Sequence, residues 1–183
     1  MTDPPKRRFF TVGRVWDALA LLVVAFVIWK LFVAPRTLKA AAAYPAPHVR
    51  YEALQGAPFV MSAHKGRVVF LDFYASWCEP CKLSLPLVEK FARTHPEVDV
   101  VPVDVGEPRP IVEAFARRYD LAHVAMDPSA ISQGFFQIDG FPTMVVIDPG
   151  GKIRATWTGF NPAVQLNMAN AAKQLRPPTR TAI

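Results

Sequence analysis

Cysteine is scarce in this chain, whose 183 residues contain only two. So low a number excludes a scaffold held together by several disulfides. Charged residues are also few, at 20% of the chain, whereas hydrophobic residues make up 51%. The hydrophobic share excludes a wholly disordered chain. The length suits one domain with a tail and is too short for two full domains.

The positive charge of the chain is concentrated at its N-terminus. The formal net charge is +6, and residues 1–48 hold seven Lys or Arg against two Asp, a net of +5. The remaining 135 residues hold 14 basic and 13 acidic side chains. Because the body of the chain is nearly neutral, no nucleic-acid partner is expected.

A long apolar stretch follows the basic tail. Residues 15–34 read VWDALALLVVAFVIWKLFVA and are interrupted only by Asp17 and Lys30. As a helix, 20 residues would be about 30 Å long, the thickness of a bilayer core. Trp16 and Trp29 lie near its two ends, where tryptophan is enriched at membrane interfaces. The stretch therefore predicts a transmembrane anchor.

A cleaved signal peptide is the alternative interpretation of this stretch. Its fully apolar part, residues 18–29, is only 12 residues long, and the alanines at 41–43 offer a cleavage site. That site lies 15 residues beyond Ile28, whereas signal cleavage follows the apolar region closely. We therefore predict an uncleaved, single-pass anchor in a bacterial inner membrane, with the folded domain in the periplasm. The predicted organisation is a basic tail at 1–14, an anchor at 15–34, an Ala/Pro-rich spacer at 35–48, a folded domain at 49–176 and a tail at 177–183.

The pattern of the folded domain is that of an α/β protein. Residues 67–74 form a near-continuous apolar run, typical of a strand buried on both faces, and residues 79–94 have helical spacing that stops at His95-Pro96. The other predicted strands are 49–53, 59–62, 98–103, 123–126, 143–148 and 152–157, and the other predicted helices are 111–119, 129–136 and 162–175. This order predicts a three-layer sandwich with a mixed central sheet.

The two cysteines lie between the buried strand and the helix that follows it. Cys78 and Cys81 are three residues apart, about one helical turn, so their sulfurs can reach disulfide distance. Cys78 would occupy the first position of the helix, where free N–H groups and the helix dipole stabilise a thiolate. Cys81 would lie deeper, as the resolving partner. Pro80 is tolerated in a first helical turn.

Two other uses of this cysteine pair are less favourable. A zinc site needs two more ligands, but the chain has no further cysteine and its four histidines are widely scattered. A purely structural disulfide across so small a loop would constrain the unfolded chain little. The spacing therefore favours a redox-active pair and no metal.

Residues 72–82, DFYASWCEPCK, and residues 140–143, GFPT, resemble the thioredoxin superfamily. The Glu-Pro dipeptide between the cysteines, the VGE segment at 105–107 and an insertion between helices resemble the membrane-anchored TlpA/ResA-type thiol-disulfide oxidoreductases. The resemblance implies a thioredoxin-like fold, an extracytoplasmic location and disulfide reduction that requires no cofactor. It also implies that Pro142 is cis and faces the disulfide, and that the backbone before it docks substrate.

Four further side chains are candidates for the site. Asp72 interrupts the buried strand, so burial should raise its pKa, and we predict that it accepts the proton of Cys81. A structural aspartate is the alternative. Glu79 should oppose thiolate formation and make the pair reducing, unless it is a merely solvated helix-start residue. Trp77 and Phe141 are predicted to border an apolar substrate groove, and Glu79 is predicted to contact substrate beside it.

The position three residues after the second cysteine departs from the family pattern. ResA-type proteins often carry a glutamate there, and this chain carries Ser84. A serine hydroxyl is far too weak a base to replace that carboxylate. Asp72 is therefore the predicted base.

The leading functional hypothesis is an anchored reductase of protein disulfides. The resemblance suggests substrates in cytochrome c maturation or metal-site assembly, and a membrane electron donor of the thiol-transfer type. One alternative is an oxidase that introduces disulfides, which the Glu-Pro dipeptide disfavours. Another is a tethered, non-enzymatic binding module, which the intact Cys78, Cys81 and Pro142 argue against.

Overall fold

The computed structural model describes residues 12–30 and 43–176, and the chain divides into two units, Met1–Ala34 and Pro35–Ile183. The first unit contains the helix α1, Val12–Ile28. The side chains described from Val15 to Lys30 are all exposed. Within these two ranges no helix is both long and apolar enough to span a bilayer. Residues 31–34 of the predicted anchor, and residues 1–11 of the predicted tail, lie outside the described residues.

The second unit is an α/β domain. Its strands are β1 Tyr44–Pro45, β2 Arg50–Ala53, β3 Phe59–Val60, β4 Val69–Tyr74, β5 Asp99–Val105, β6 Ala125–Asp127, β7 Thr143–Ile147 and β8 Lys152–Thr158. Its helices are α2 Glu79–Thr94, α3 Arg109–Tyr119, α4 Ile131–Phe136 and α5 Val164–Leu175. A short 3₁₀ turn covers Met61–His64.

The strands form one mixed sheet in the order β1-β8-β7-β4-β5-β6-β2-β3. β4 pairs parallel with β5, and β5 with β6, while the other pairs are antiparallel. β7 and β8 form an antiparallel hairpin, whose turn uses Gly151 at a φ of +78°. The predicted α/β class and mixed sheet are confirmed.

Helices cover the two faces of the sheet unequally. The crossovers β4-α2-β5 and β5-α3-β6 both step along the sheet in the order β4, β5, β6. Because such connections are right-handed, α2 and α3 lie on the same face of the sheet. α5 packs on that face against α2, around Phe70, Val146 and Met168. The opposite face packs against α4 and the segment before β4. Side chains on β4 therefore alternate between two cores, with Asp72 and Tyr74 directed toward α2 and α3.

The folded domain begins earlier than the predicted residue 49. Tyr44-Pro45 lies in the predicted spacer 35–48, yet it pairs with Ile153 and Lys152 of β8. The Ala46 and Val49 side chains enter the core. A two-residue strand that contains proline has no alternating pattern by which it could be predicted. Residues 35–42 of the predicted spacer and the predicted tail 177–183 lie outside the described residues.

Candidate active site

The cysteine pair lies at the junction of β4 and α2. Cys78 is the N-cap residue of α2, with extended backbone angles, and the Cys81 N–H donates to its sulfur over 3.2 Å. The two sulfurs form a disulfide with an S–S distance of 2.02 Å. Pro80 lies in the first helical turn, where its missing N–H costs no hydrogen bond. The Cys78 sulfur therefore lies where free helical N–H groups can stabilise a thiolate.

The two cysteines differ in their access to solvent. The exposed fraction of Cys78 is 4%, whereas Cys81 is completely buried beside Leu85 and Val112. Of the two cysteines, Cys78 is therefore the more accessible to a partner sulfur. This asymmetry fits an attacking role for Cys78 and a resolving role for Cys81.

Aromatic side chains border the disulfide on its solvent side. Trp77 is 68% exposed, and its ring lies 5.8 Å from that of Phe141, in an edge-to-face arrangement. Phe141 packs against the cluster that contains both cysteines. The peptide bond between Phe141 and Pro142 is cis. The structure thus brings the predicted Trp77 and Phe141 together beside the cysteine pair, with the cis Pro142 next along the chain and an apolar surface open to a partner.

Glu79 lies on the exposed side of the helix start. Its side chain is 80% exposed and forms an ion pair with Lys82, three residues later. A neighbouring cation compensates part of its negative charge, and solvent screens the rest. The predicted effect of Glu79 on the thiolate is therefore weaker than its position in the sequence suggests.

Asp72 lies in the middle of β4, on the face covered by α2. It is 1% exposed, and its Oδ2 atom has no hydrogen-bond partner among residues 12–30 and 43–176. Burial raises the pKa of this carboxyl to about 7. Burial alone raises this pKa, as the sequence predicted.

A small cavity adjoins the Asp72 carboxyl. Its volume of about 20 Å³ is enough for one water molecule. Ser84, one turn beyond Cys81, and the cis Pro142 are part of its wall, and so is Trp157. The cavity thus joins the Asp72 carboxyl to Ser84 of α2, one turn beyond the resolving cysteine.

Sequence reasoning missed a second group of buried polar side chains behind the active-site turn. We call Tyr74, Asp104 and Glu107 the carboxylate cluster. Asp104 pairs with Tyr74 across β4 and β5 and is 1% exposed. Burial, and next the charge of Glu107, raise the pKa of Asp104 to about 8. An aspartate in the apolar run VPVDV was the available signal, the same signal that identified Asp72.

Glu107 connects this cluster to the cysteine turn. Its carboxylate accepts the Ser76 N–H at 2.5 Å and the Ser76 hydroxyl at 2.6 Å. Burial, and next the charge of Asp104, raise the pKa of Tyr74. The Tyr74 hydroxyl has no hydrogen-bond partner within the described part of the chain.

Comparison with known proteins agrees with this geometry. Residues 66–153 match a family model described as thioredoxin-like. The chain is 30% identical over 158 residues to the thiol-disulfide oxidoreductase ResA of Halalkalibacterium halodurans, covering 80% of this chain and 87% of the relative. It is 28% identical over 144 residues to the ResA of Geobacillus thermodenitrificans, covering 77% and 82%.

Solved structures show the same arrangement of elements. The crystal structure of a thiol:disulfide interchange protein of the thioredoxin family from Chlorobium tepidum is 26% identical, with a TM-score of 0.64, and covers 75% of this chain and 99% of its own. StoA from Bacillus subtilis is 27% identical, with a TM-score of 0.59, and covers 69% and 99%.

Proposed function

The chain belongs to the ResA family of thiol-disulfide oxidoreductases, and from this premise we propose that its Cys78–Cys81 pair reduces disulfides of extracytoplasmic proteins. The observation that carries the proposal is the position of the pair. The more accessible sulfur lies at the N-terminus of a 16-residue helix, and the buried one lies a turn inside. An exposed tryptophan and a cis-proline segment provide the adjoining surface for a protein substrate.

The reducing direction is supported by the charges behind the cysteine turn. A reduced pair is a good electron donor when its thiolate is poorly stabilised, because destabilising the reduced form lowers the reduction potential. The Glu107 carboxylate holds the backbone N–H two residues before Cys78, so its negative charge opposes a thiolate there. Glu107 is only 8% exposed, so solvent screens its charge less than that of Glu79.

The reaction transfers two electrons from the thiol pair to the substrate disulfide. The Cys78 thiolate attacks one substrate sulfur, the substrate S–S bond breaks, and a mixed disulfide forms while the other substrate sulfur leaves and takes up a proton. The Cys81 thiolate then attacks Cys78, which releases the second substrate thiol and forms the Cys78–Cys81 disulfide. A membrane electron donor of the thiol-transfer type would reduce the pair again. Cytochrome c maturation and metal-site assembly are the proposed settings.

The direction of electron flow can be measured with two protein substrates. Reduced full-length chain is expected to reduce disulfide-bonded insulin, whereas the oxidised chain should oxidise reduced ribonuclease slowly and incompletely. The control is the chain with both cysteines replaced by serine, which should do neither. Rapid, complete oxidation of ribonuclease with little insulin reduction would instead identify an oxidase.

We also propose that residues 15–34 anchor the protein in a bacterial inner membrane, with the domain on the periplasmic side. Support comes from the 20-residue apolar stretch with only two charges, and from the exposure of the apolar side chains described on α1. Exposed apolar surface of this extent is unfavourable in water.

Fractionation tests the anchor. In cells that express the full chain, the protein is expected in the membrane fraction, resistant to salt extraction and released by detergent. Protease added to spheroplasts should digest the domain. A mature protein that starts near Tyr44 and is free in the periplasm would contradict the anchor and support a cleaved signal peptide.

A further inference from the structure

We propose that Glu107 is a positioning residue for the thiol-disulfide chemistry, which holds the turn carrying Trp77 and Cys78 through its two hydrogen bonds to Ser76. The inference depends on the thiol-disulfide exchange itself and is independent of its direction. It concerns a carboxylate that lies outside the CxxC motif and 31 residues along the chain from Ser76.

The first argument is the geometry of the turn. Between the last residue of β4 and the N-cap Cys78, only Ala75, Ser76 and Trp77 connect strand to helix. Ser76 is the middle residue, and both its backbone N–H and its hydroxyl donate to the same carboxylate, at 2.5 and 2.6 Å. Two bonds to one rigid acceptor fix both the backbone and the side chain of Ser76. The residues on either side of Ser76 therefore have little freedom to rotate.

The second argument is the exposure of what the turn carries. Trp77 is 68% exposed, and its ring contacts only the edge of Phe141 among the described aromatic pairs. Packing alone does not fix such a side chain. Its orientation, and that of the adjacent Cys78 sulfur, must then be set largely by the backbone to which they are attached. Glu107 holds that backbone.

The third argument is the charge state of the carboxylate cluster. Hydrogen bonds donated to a carboxyl favour its ionised form, and two buried neighbouring carboxylates do not both ionise readily. Burial, and next the charge of Glu107, raise the pKa of Asp104 to about 8, which favours its neutral form at neutral pH. Glu107, with two donors, is the member that carries the charge. The cluster therefore maintains one fixed negative charge behind the cysteine turn.

The chain supplies a matched control in another serine–carboxylate pair. Asp127 accepts both the backbone N–H of Ser132, at 2.8 Å, and the Ser132 hydroxyl. The chemistry is the same as that of Glu107 and Ser76, but these bonds hold the start of α4 and not the cysteine turn. Loss of either serine hydroxyl leaves a buried carboxylate with one donor fewer. Only loss of the Ser76 hydroxyl should affect the chemistry.

The test compares Ser76→Ala, Ser76→Thr, Ser132→Ala and Glu107→Gln with the wild type in the full chain. The measured quantities are the rate of insulin disulfide reduction and the equilibrium constant with glutathione. Ser76→Ala should lower the rate about tenfold, since a displacement of 1 Å can cost up to about 10²-fold. It should leave the equilibrium constant unchanged, because the charge of Glu107 remains. Ser76→Thr keeps the hydroxyl and should restore most of the rate.

Glu107→Gln removes the charge as well as one acceptor. It should shift the glutathione equilibrium about tenfold toward the reduced pair, equivalent to about 30 mV for a two-electron couple. Ser132→Ala should leave both quantities at their wild-type values, whatever its effect on melting. A wild-type rate for Ser76→Ala, or equal losses for Ser76→Ala and Ser132→Ala, would show that Glu107 has only a structural role. If Glu107→Gln does not fold, the serine variants alone decide.

Discussion

Replacement of Cys78 by serine is expected to abolish disulfide exchange, and replacement of Cys81 by serine to arrest it halfway. Without the Cys78 sulfur, no nucleophile lies at the helix N-terminus. Without the Cys81 sulfur, the first attack proceeds but the mixed disulfide cannot be resolved within the chain. With an excess of disulfide-bonded insulin, Cys81→Ser should accumulate a covalent adduct through Cys78, visible on a non-reducing gel and by mass spectrometry.

The double variant Cys78→Ser/Cys81→Ser is the control for non-specific capture, and should form no adduct. The difference in burial is the reason for assigning the roles in this order, because Cys81 is completely enclosed. An adduct that forms only with Cys78→Ser, through Cys81, would reverse the assignment. It would also mean that α2 opens to expose the buried cysteine.

Replacement of Asp72 by asparagine is expected to slow the resolving step by about 10²-fold at neutral pH. Cys81 must lose its proton before it can attack, and its buried site disfavours a thiolate. Asp72 has a pKa of about 7 and lines a cavity that also contacts Ser84, one turn beyond Cys81, so we expect it to accept that proton through a water molecule. Single-turnover reduction of insulin from pH 6 to 9 measures this step.

The first attack, by Cys78, is an internal control for this comparison, because Asp72→Asn should affect it much less. Ser84→Ala alters the same cavity without changing a titratable group, and its resolving rate should stay near that of the wild type. Superimposable pH profiles for wild type and Asp72→Asn would show that Asp72 does not transfer the proton.

The same replacement is expected to stabilise the fold, increasingly so between pH 4 and pH 7. The pKa of Asp72 is about 7 in the folded chain, against about 3.9 for an unfolded aspartate, so the folded state binds its proton more tightly. Raising the pH through this window therefore costs the wild type stability, and the asparagine variant escapes that cost. At about 1.4 kcal/mol per pKa unit, the gain above pH 7 is at most about 4 kcal/mol. Urea unfolding at pH 4 and pH 8 measures it.

The parts of the fold that sequence reasoning predicted are those with strong local signals. α2 begins and ends at Glu79 and Thr94, as predicted, because a proline in its first turn and the His95-Pro96 pair mark both ends. β4 could be predicted because the burial of six consecutive residues, Val69–Tyr74, requires an apolar run that is visible in the sequence. The Asp72 carboxyl stood out because it interrupts that run.

The parts that were missed depend on long-range contacts. The bond between Glu107 and Ser76 joins residues 31 positions apart, and nothing local in either segment indicates it. Tyr44-Pro45 becomes a strand only because the edge of β8 is available to it. The ion pair between Glu79 and Lys82 was within reach of sequence reasoning, since residues three apart on a helix are neighbours. It reduces the influence that Glu79 has on the adjacent cysteine.

The reduction potential of the Cys78–Cys81 pair tests the proposed reductase function most directly. Full-length chain would be equilibrated with mixtures of reduced and oxidised glutathione, and the fraction of free thiol measured after acid quenching and alkylation. The buried negative charge at Glu107 and the limited stabilisation of the thiolate predict a potential on the order of −250 mV, close to that of thioredoxin. A value near −120 mV, typical of a strong oxidant, would contradict the proposal and identify the protein as a disulfide-introducing oxidase.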